Sequence, residues 1–140
     1  MNGEIKNNLY LLEDHRLVYS AGHNIVLYNT EDKSQYFFPG SRFDINAFLA
    51  MEQTEGITCI NVSPSKKFLV ICEKATRAVW TVYEIQHQKV RRSLLKGDQE
   101  GTSFYESKEF VSVCFSKNEK HHLLTLTGEP DWALILWKWD

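Results

Sequence analysis

The sequence predicts an all-β chain assembled from one repeated antiparallel unit, and three observations carry that reading. Aromatic residues are abundant, with four Trp, six Tyr and eight Phe, and many stand beside Val, Ile and Leu, a mixture that suits pleated surfaces better than helices. Apolar runs of strand length alternate with short breaks of turn and charged residues along the chain. The later runs also repeat the order of the earlier ones. Otherwise the composition is that of an ordinary folded domain: 140 residues, 43% hydrophobic and 24% charged, too apolar for a disordered scaffold.

The first unit is predicted from "NNLYLL", "HRLVYSA" and "NIVLYN", divided by "EDH" and "GHN". A fourth run, "QYFF", follows "TEDKS" and ends at Pro39-Gly40. The second unit is "GITCINVS", "KFLVICE", "AVWTVYEI" and "KVRRSLL", after which "KGDQEGTS" breaks the pattern. "FVSVCFS", "HHLLTLT" and "WALILWKWD" make the third. Superposing the units places Val62-Ser63 on Phe115-Ser116, and Tyr28-Asn29, Tyr83-Glu84 and Trp139-Asp140 in register. An aromatic followed by a polar or acidic residue, closing the third strand of a four-stranded unit, is the signature of WD repeats, the blades of a β-propeller. The expected architecture is a WD-repeat β-propeller fragment: about two complete four-stranded blades plus three strands of a third. The blades are placed at about residues 7–39, 56–95 and 109–140, the last without a fourth strand.

The units recur every ~53–56 residues, against ~40–45 for a common WD blade. The excess is assigned to two long links, "GSRFDINAFLAMEQTE" and "KGDQEGTSFYES". In the first, Phe43, Ile45, Phe48, Leu49 and Met51 can form one or two short amphipathic helical turns, and Phe43, Ile45, Phe48 and Leu49 are the candidates for docking into a partner's groove. The plainer reading is a loop that tucks its own apolar residues onto the rim.

Net charge is −2, so no global field draws the chain onto nucleic acid or an anionic membrane. The basic stretch "QKVRRSLLK" reads as a polar edge strand, where Lys and Arg discourage strand addition. Cys59, Cys72 and Cys114 lie in apolar runs at irregular spacing and read as small core residues in a reducing compartment, not as a disulfide or metal framework. "MNGEIKNN" lacks the apolar stretch of a signal peptide, and the expectation is a soluble, intracellular protein.

Taken in order, "NNLYLLEDHRLVYSAGHNIVLYN", "FFPGS", "GITCINVSPSKKFLVICE", "VYEI" and "LILWKWD" resemble the N-terminus of large axonemal WD-repeat proteins, the cilia- and flagella-associated protein 57 family. The likeness covers nearly the whole chain. It rests on the order and spacing of the motifs more than on any one of them. The resemblance implies paired propellers followed by a coiled coil, acting as non-enzymatic parts of the axoneme that help place inner dynein arms on doublet microtubules. The chain departs from that pattern in an extra segment around Arg42 to Gln53, and in lacking later blades and the coiled coil.

Catalytic constellations are scarce. His121 and His122 are adjacent, so on a regular strand their rings face opposite sides and cannot share one metal. Ser63, Ser65 and Ser116 sit at turns without the Gly-x-Ser-x-Gly frame of a strained nucleophile. Gly128-Glu129-Pro130-Asp131 has the composition of a tight turn. Asn61 and Glu109, the candidates for a site over a central channel, form no recognisable set. No cofactor and no metal is expected. The functional expectation is an interaction scaffold of the ciliary or flagellar axoneme with protein partners, axonemal dynein or doublet components among them. A generic cytoplasmic WD-repeat adaptor and a truncated isoform are the alternatives. Exposed blade faces predict self-association or marginal stability of the isolated chain.

Overall fold

The computed structural model describes residues 9–13, 15–21, 24–39, 55–94, 105–118 and 121–139. The candidate loop residues Phe43, Ile45, Phe48 and Leu49, and Asp140 at the third expected WD position, lie outside them. Eleven strands and no helix occur among the described residues. They form three antiparallel sheets, each a meander in which consecutive strands are neighbours.

Sheet 1 contains β1 (Leu9–Glu13), β2 (Arg16–Ala21), β3 (Asn24–Asn29) and β4 (Gln35–Pro39). Sheet 2 contains β5 (Gly56–Val62), β6 (Phe68–Lys74), β7 (Val79–Glu84) and β8 (Lys89–Ser93). Sheet 3 contains β9 (Phe110–Phe115), β10 (His122–Thr127) and β11 (Leu134–Lys138). The basic strand β8 is an edge strand with Lys89 to Arg92 exposed.

Burial patterns show how the sheets stack. Side chains on a strand alternate between the two faces, so a sheet covered on one side shows alternation and a sheet covered on both shows a continuous buried run. In β10, buried and half-buried residues alternate, and β2 does the same from Tyr's neighbour Val18 onward. In β6, residues Leu69 to Glu73 are all buried, and in β7 Val79 to Tyr83 are as well. Sheet 2 is therefore the middle layer. One of its faces carries Ile57, Ile60, Val62, Leu69, Ile71 and Tyr83 against Leu12, Val18, Ile25 and Leu27 of sheet 1. The other carries Cys59, Val70, Cys72, Trp80 and Val82 against Phe110, Val113, Phe115, Leu123 and Ile135 of sheet 3.

A β-bulge makes the innermost strand of sheet 2 serve both seams. Ile57 pairs with Glu73 and Cys59 with Cys72, so Thr58 is the extra residue. Without it, Ile57 and Cys59 would share a face; with it, Ile57 turns to sheet 1 and Cys59 to sheet 3. β9 repeats the device: Phe110 pairs with Thr127 and Ser112 with Leu126, leaving Val111 extra and exposed.

The register also sets the third WD-type position, differently from the sequence superposition. Tyr28 lies opposite Leu17 at the start of β2, and Tyr83 opposite Leu69 at the start of β6. The residue opposite Leu123 in β10 is Trp137. Trp139 instead donates its amide to the His121 carbonyl at 2.8 Å, as Thr30 does to His15 at 2.7 Å and Ile85 to Lys67 at 2.9 Å. By pairing, Trp137 matches Tyr28 and Tyr83, while Trp139 matches Thr30 and Ile85. The β9–β10 turn is one residue longer than its counterpart in sheet 2, since Ser63 N–H closes on the Phe68 carbonyl and Ser116 N–H on that of His122; that residue brings Trp137 opposite Leu123, whereas matching the Trp-Asp dipeptide by residue type lands two residues later. The superposition of Val62-Ser63 on Phe115-Ser116 agrees with these pairings.

Candidate protein-binding rim

At the seam of sheets 2 and 3, a polar clamp gathers one rim of the stack. The segment 105–109, which leads into β9, is held from both sides. On the sheet 2 side, Ala75 N–H donates to the Lys108 carbonyl at 3.1 Å and Ala78 N–H to that of Ser107 at 3.0 Å. The Arg77 guanidinium donates to the Tyr105 carbonyl at 2.6 Å and lies 4.7 Å from the centre of the Tyr105 ring. Tyr105, fully buried, returns a hydrogen bond from its hydroxyl to the Ala78 carbonyl at 2.9 Å. On the sheet 3 side, one Asp131 carboxylate oxygen accepts from the amides of Glu106 at 2.6 Å and Ser107 at 2.8 Å. Such charge-assisted bonds are stronger than neutral ones. They tie the β10–β11 turn to a segment 24 residues earlier in the chain.

The same turn closes on itself. Trp132 N–H donates to the Gly128 carbonyl and Ala133 N–H to the Thr127 hydroxyl. Gly128 N–H reaches the Glu109 carbonyl at 3.0 Å. A Cβ at Gly128 would stand 3.2 Å from Val111 and 3.3 Å from Glu109, so glycine is what lets Glu109 lie across the turn. Around this frame lies an open groove of roughly 930 Å³, lined by Lys74, Glu106, Lys108, Glu109, Glu129 and Trp132, with Pro130 beside them. Trp132 is 59% exposed and adopts a left-handed backbone conformation, φ 48°. That conformation is rare for a bulky residue. An exposed indole on a cross-braced turn, ringed by charges of both signs, suits a protein surface, since Trp is enriched among interface anchors.

The residues singled out in the sequence fall into structural roles. Asn61 bridges all three sheets: its amide oxygen accepts from Phe115 N–H at 3.1 Å, and its amide nitrogen donates to the Tyr10 hydroxyl at 3.3 Å. That hydroxyl donates to the Ile60 carbonyl at 3.0 Å. Burial raises the Tyr10 pKa, and the Asn61 hydrogen bond partly opposes the shift. Ser63 and Ser65 share a hydrogen bond of 3.1 Å, and Ser63 Oγ accepts from Phe68 N–H. At the opposite rim, a cavity of about 190 Å³ is lined by Ser63, Lys67, Phe68, Phe115, His121 and Trp139, among others. There the His121 ring packs 4.7 Å from the Trp139 ring, edge to face. Among the described residues no group of three or more His, Cys, Asp or Glu is placed to hold a metal ion. No helix among them is long and apolar enough to cross a membrane.

Of the expected WD-type positions, Tyr83 is buried in the seam with sheet 1, and Tyr28 is half-buried. Asn29 caps the β3–β4 turn by accepting from Glu31 N–H at 2.9 Å. Glu84 stays within its own hairpin, 2.5 Å from His87 and 3.7 Å from Arg91. Of the three cysteines, Cys59 and Cys72 are buried, whereas Cys114 is exposed on the outer face of sheet 3, contrary to its reading as a core residue. Sequence reasoning missed Tyr105 and the role of Asp131. Only the aromatic in a polar link and the acid after Pro130 hinted at them.

No family model matches the chain. It is 30% identical over 141 residues to cilia- and flagella-associated protein 57 C of Tetrahymena thermophila, covering 99% of this chain and 10% of that protein. Against mouse (Mus musculus) cilia- and flagella-associated protein 57 the identity is 26% over 137 residues, 97% of this chain and 10% of the relative. Mouse cilia- and flagella-associated protein 44 is 29% identical over 132 residues, 94% of this chain and 6% of the relative. The chain thus spans about a tenth or less of the length of these curated relatives. Among solved structures, the WD40 repeats of RRP9 superpose with a TM-score of 0.65 at 13% identity, over 93% of this chain and 34% of that one. A chain of a mitotic checkpoint complex superposes at 0.55 with 12% identity, over 80% and 27%. The fold is that of consecutive WD40-type propeller blades, and along nearly all its length the sequence is similar to cilia- and flagella-associated proteins.

Proposed function

We propose that this chain is a non-enzymatic, protein-binding part of the ciliary or flagellar axoneme. The observation that carries the proposal is the similarity of 94–99% of the chain to three proteins named for cilia and flagella. The clamped rim supports it physically. Polar residues that an enzyme would converge on a substrate, Asn61 and Asp131 above all, hold blades together instead. The exposed side chains on the braced turn are of the kind that proteins recognise. Following the family resemblance, we assign the partners to axonemal dynein and doublet-microtubule components, and the role to placing inner dynein arms.

The test is fractionation. A tagged copy expressed in a ciliated cell should remain with the detergent-extracted axoneme. Trp132→Ala combined with Glu129→Lys should lower that retention several-fold without changing the melting curve. Recovery of the chain wholly in the soluble fraction, at normal expression, would refute the axonemal reading.

A further inference from the structure

The cavity at the rim opposite the Trp132 groove is built by two turns of the same plan from neighbouring sheets. The β5–β6 turn supplies Ser63, Lys67 and Phe68, and the β9–β10 turn supplies Ser116 and His121, with Trp139 behind them. Aromatic rings form its apolar wall. Trp139 is buried and meets the Phe68 ring at 4.9 Å and the His121 ring at 4.7 Å, both edge to face. At about 190 Å³ the cavity is smaller than the ~300–1,000 Å³ of a drug- or cofactor-sized site and has room for one side chain.

Its mouth is cationic. The turn sequences "SPSKKF" and "SKNEKHH" hold four lysines and two histidines against one glutamate, in a chain whose net charge is −2. Lys66, Lys67 and Lys117 are exposed, and so is Lys138, opposite His122. Glu84 stands opposite Phe68 on β7 but is engaged by His87 and Arg91 of its own hairpin. The Ser116 hydroxyl oxygen accepts from Asn118 N–H at 3.3 Å, which leaves its O–H to donate. Donors and positive charge thus meet at the entrance, and none of the cavity's described lining residues is acidic.

Both walls belong to sheets that touch within this chain, and the repeat plan leaves this rim open. Ile85 of sheet 2 donates its amide to the Lys67 carbonyl as Trp139 does to that of His121. Beyond Ile85 the chain turns outward through exposed Gln86, His87 and Gln88 into the edge strand β8, and Pro64, Lys66 and Lys67 stay exposed. A strand following Trp139 on the same plan leaves the cavity open too. Further blades stack on sheet faces, whereas this cavity opens at the turns.

We propose that this cavity is a docking site for an acidic segment of a partner protein, with one carboxylate or phosphate side chain entering it and the flanking lysines facing the rest of the segment. Lys67 and the Ser116 hydroxyl hold the entering anion by charge-assisted hydrogen bonds, and the indole and phenyl rings receive the apolar stem of its side chain. The site is separate from the Trp132 groove and stands independently of any ciliary role.

The experiment is fluorescence anisotropy of the 140-residue chain with labelled Gly/Ser peptides carrying a central run of glutamates, of phosphoserines, or of glutamines. Binding of either anionic peptide is expected, the tighter one naming the anion, with the glutamine peptide at least about tenfold weaker. Lys67→Gln should weaken binding at least about fivefold, Lys67→Glu further, and Lys67→Arg should restore it. Lys67 is exposed, so these variants should fold, with melting as the check. Lys33→Asn removes an equal charge from the β3–β4 turn of sheet 1 and should leave binding unchanged. In amide and indole NMR spectra the shifts should gather at Ser116, His121 and Trp139. The proposal is overturned if no anionic peptide binds, or if the glutamine peptide binds equally well. It is overturned as well if Lys33→Asn and Lys67→Gln lose the same affinity, which would mean diffuse charge attraction, or if the shifts gather at Trp132.

Discussion

The seams on the two sides of sheet 2 use the same architecture with different chemistry. Toward sheet 1 the contact is mostly aliphatic, Val18, Ile25 and Leu27 against Ile57, Ile60 and Leu69, with Tyr10 and Asn61 as the polar tie. Toward sheet 3 it is aromatic. Trp80 lies 5.9 Å from Trp137, Tyr105 lies 6.2 Å from Trp137, and Phe68 lies 4.9 Å from Trp139, all edge to face. The Asp131 and Arg77 clamps are added at its rim. Aliphatic side chains pack with little directional preference, whereas ring pairs and charge-assisted bonds fix orientation. The difference teaches where the molecule can be both rigid and useful: the exposed Trp132 sits at the end of the directionally fixed seam.

The largest effect expected concerns how tightly that aromatic seam is shut. Cys59 and Cys72 face each other across β5 and β6 within it, and Cys59 donates to the Phe110 carbonyl at 3.4 Å. Burial, with Cys59 beside it, pushes the Cys72 thiol well above its ordinary pKa. Native-state alkylation with iodoacetamide should modify exposed Cys114 first, and Cys59 and Cys72 at least about a hundredfold more slowly, through opening of the seam. Equal rates for all three, read by peptide mass mapping, would show that the aromatic seam is not shut.

Next comes a comparison of the two faces of one sheet. Trp80→Ala removes a fully buried indole between sheets 2 and 3 and should lower the unfolding free energy by about 3–5 kcal/mol. Leu69→Ala, on the opposite face, should cost about 2–4 kcal/mol. Urea denaturation of both variants ranks the seams, and a costlier Leu69→Ala would reverse the order argued here. Asp131→Asn should cost about 1–2 kcal/mol, since it weakens two charge-assisted bonds at a half-buried site. Its signature is local: amide exchange at Glu106 and Ser107 should accelerate, with amides of sheet 1 unchanged. On the aliphatic side, Tyr10→Phe and Asn61→Ala should each cost about 1 kcal/mol, with a coupling of about 0.5 kcal/mol in a double-mutant cycle.

How much of this was legible follows from the same contrast. Strand runs and the all-β class were readable because alternation survives in sequence wherever one face is wet, as in "RLVYSA" of β2. The middle sheet was readable as strands but not as the middle, because a continuous run such as "LVICE" records burial on both faces without naming what covers them. Cys114 reads as internal because it stands in an apolar run, but the bulge at Val111 shifts the alternation of β9 by one and turns it outward. The third WD-type position falls at Trp137 by strand pairing, two residues before Trp139, because a Trp-Asp dipeptide matches the repeat signature by residue type and says nothing of register. The candidate rim was almost illegible. Asp131 has the residue type of any turn, and its work depends on amides 24 residues away that no local pattern announces. Tyr105 stood in a polar link without periodicity, so its full burial could come only from the folded chain.

The smallest expected effect tests whether a WD-type acid acts across blades or only within its own hairpin. Glu84 is hydrogen-bonded to His87, with Arg91 nearby, and these partners hold its pKa below the usual glutamate value of 4.5, the His87 hydrogen bond most of all. A carboxyl whose folded pKa is depressed contributes stability above its unfolded pKa and loses it as pH falls through the folded one. The wild-type chain should therefore exceed Glu84→Gln in urea midpoint at neutral pH, and the two should converge on acidification below the ordinary glutamate range. Because the site is open to solvent, the gap should be small and should shrink further in high salt. A large gap that persists in salt would mean that Glu84 braces a neighbouring sheet. The two seams would then differ less in polar reinforcement than the hydrogen bonds at Asp131 and Asn61 imply.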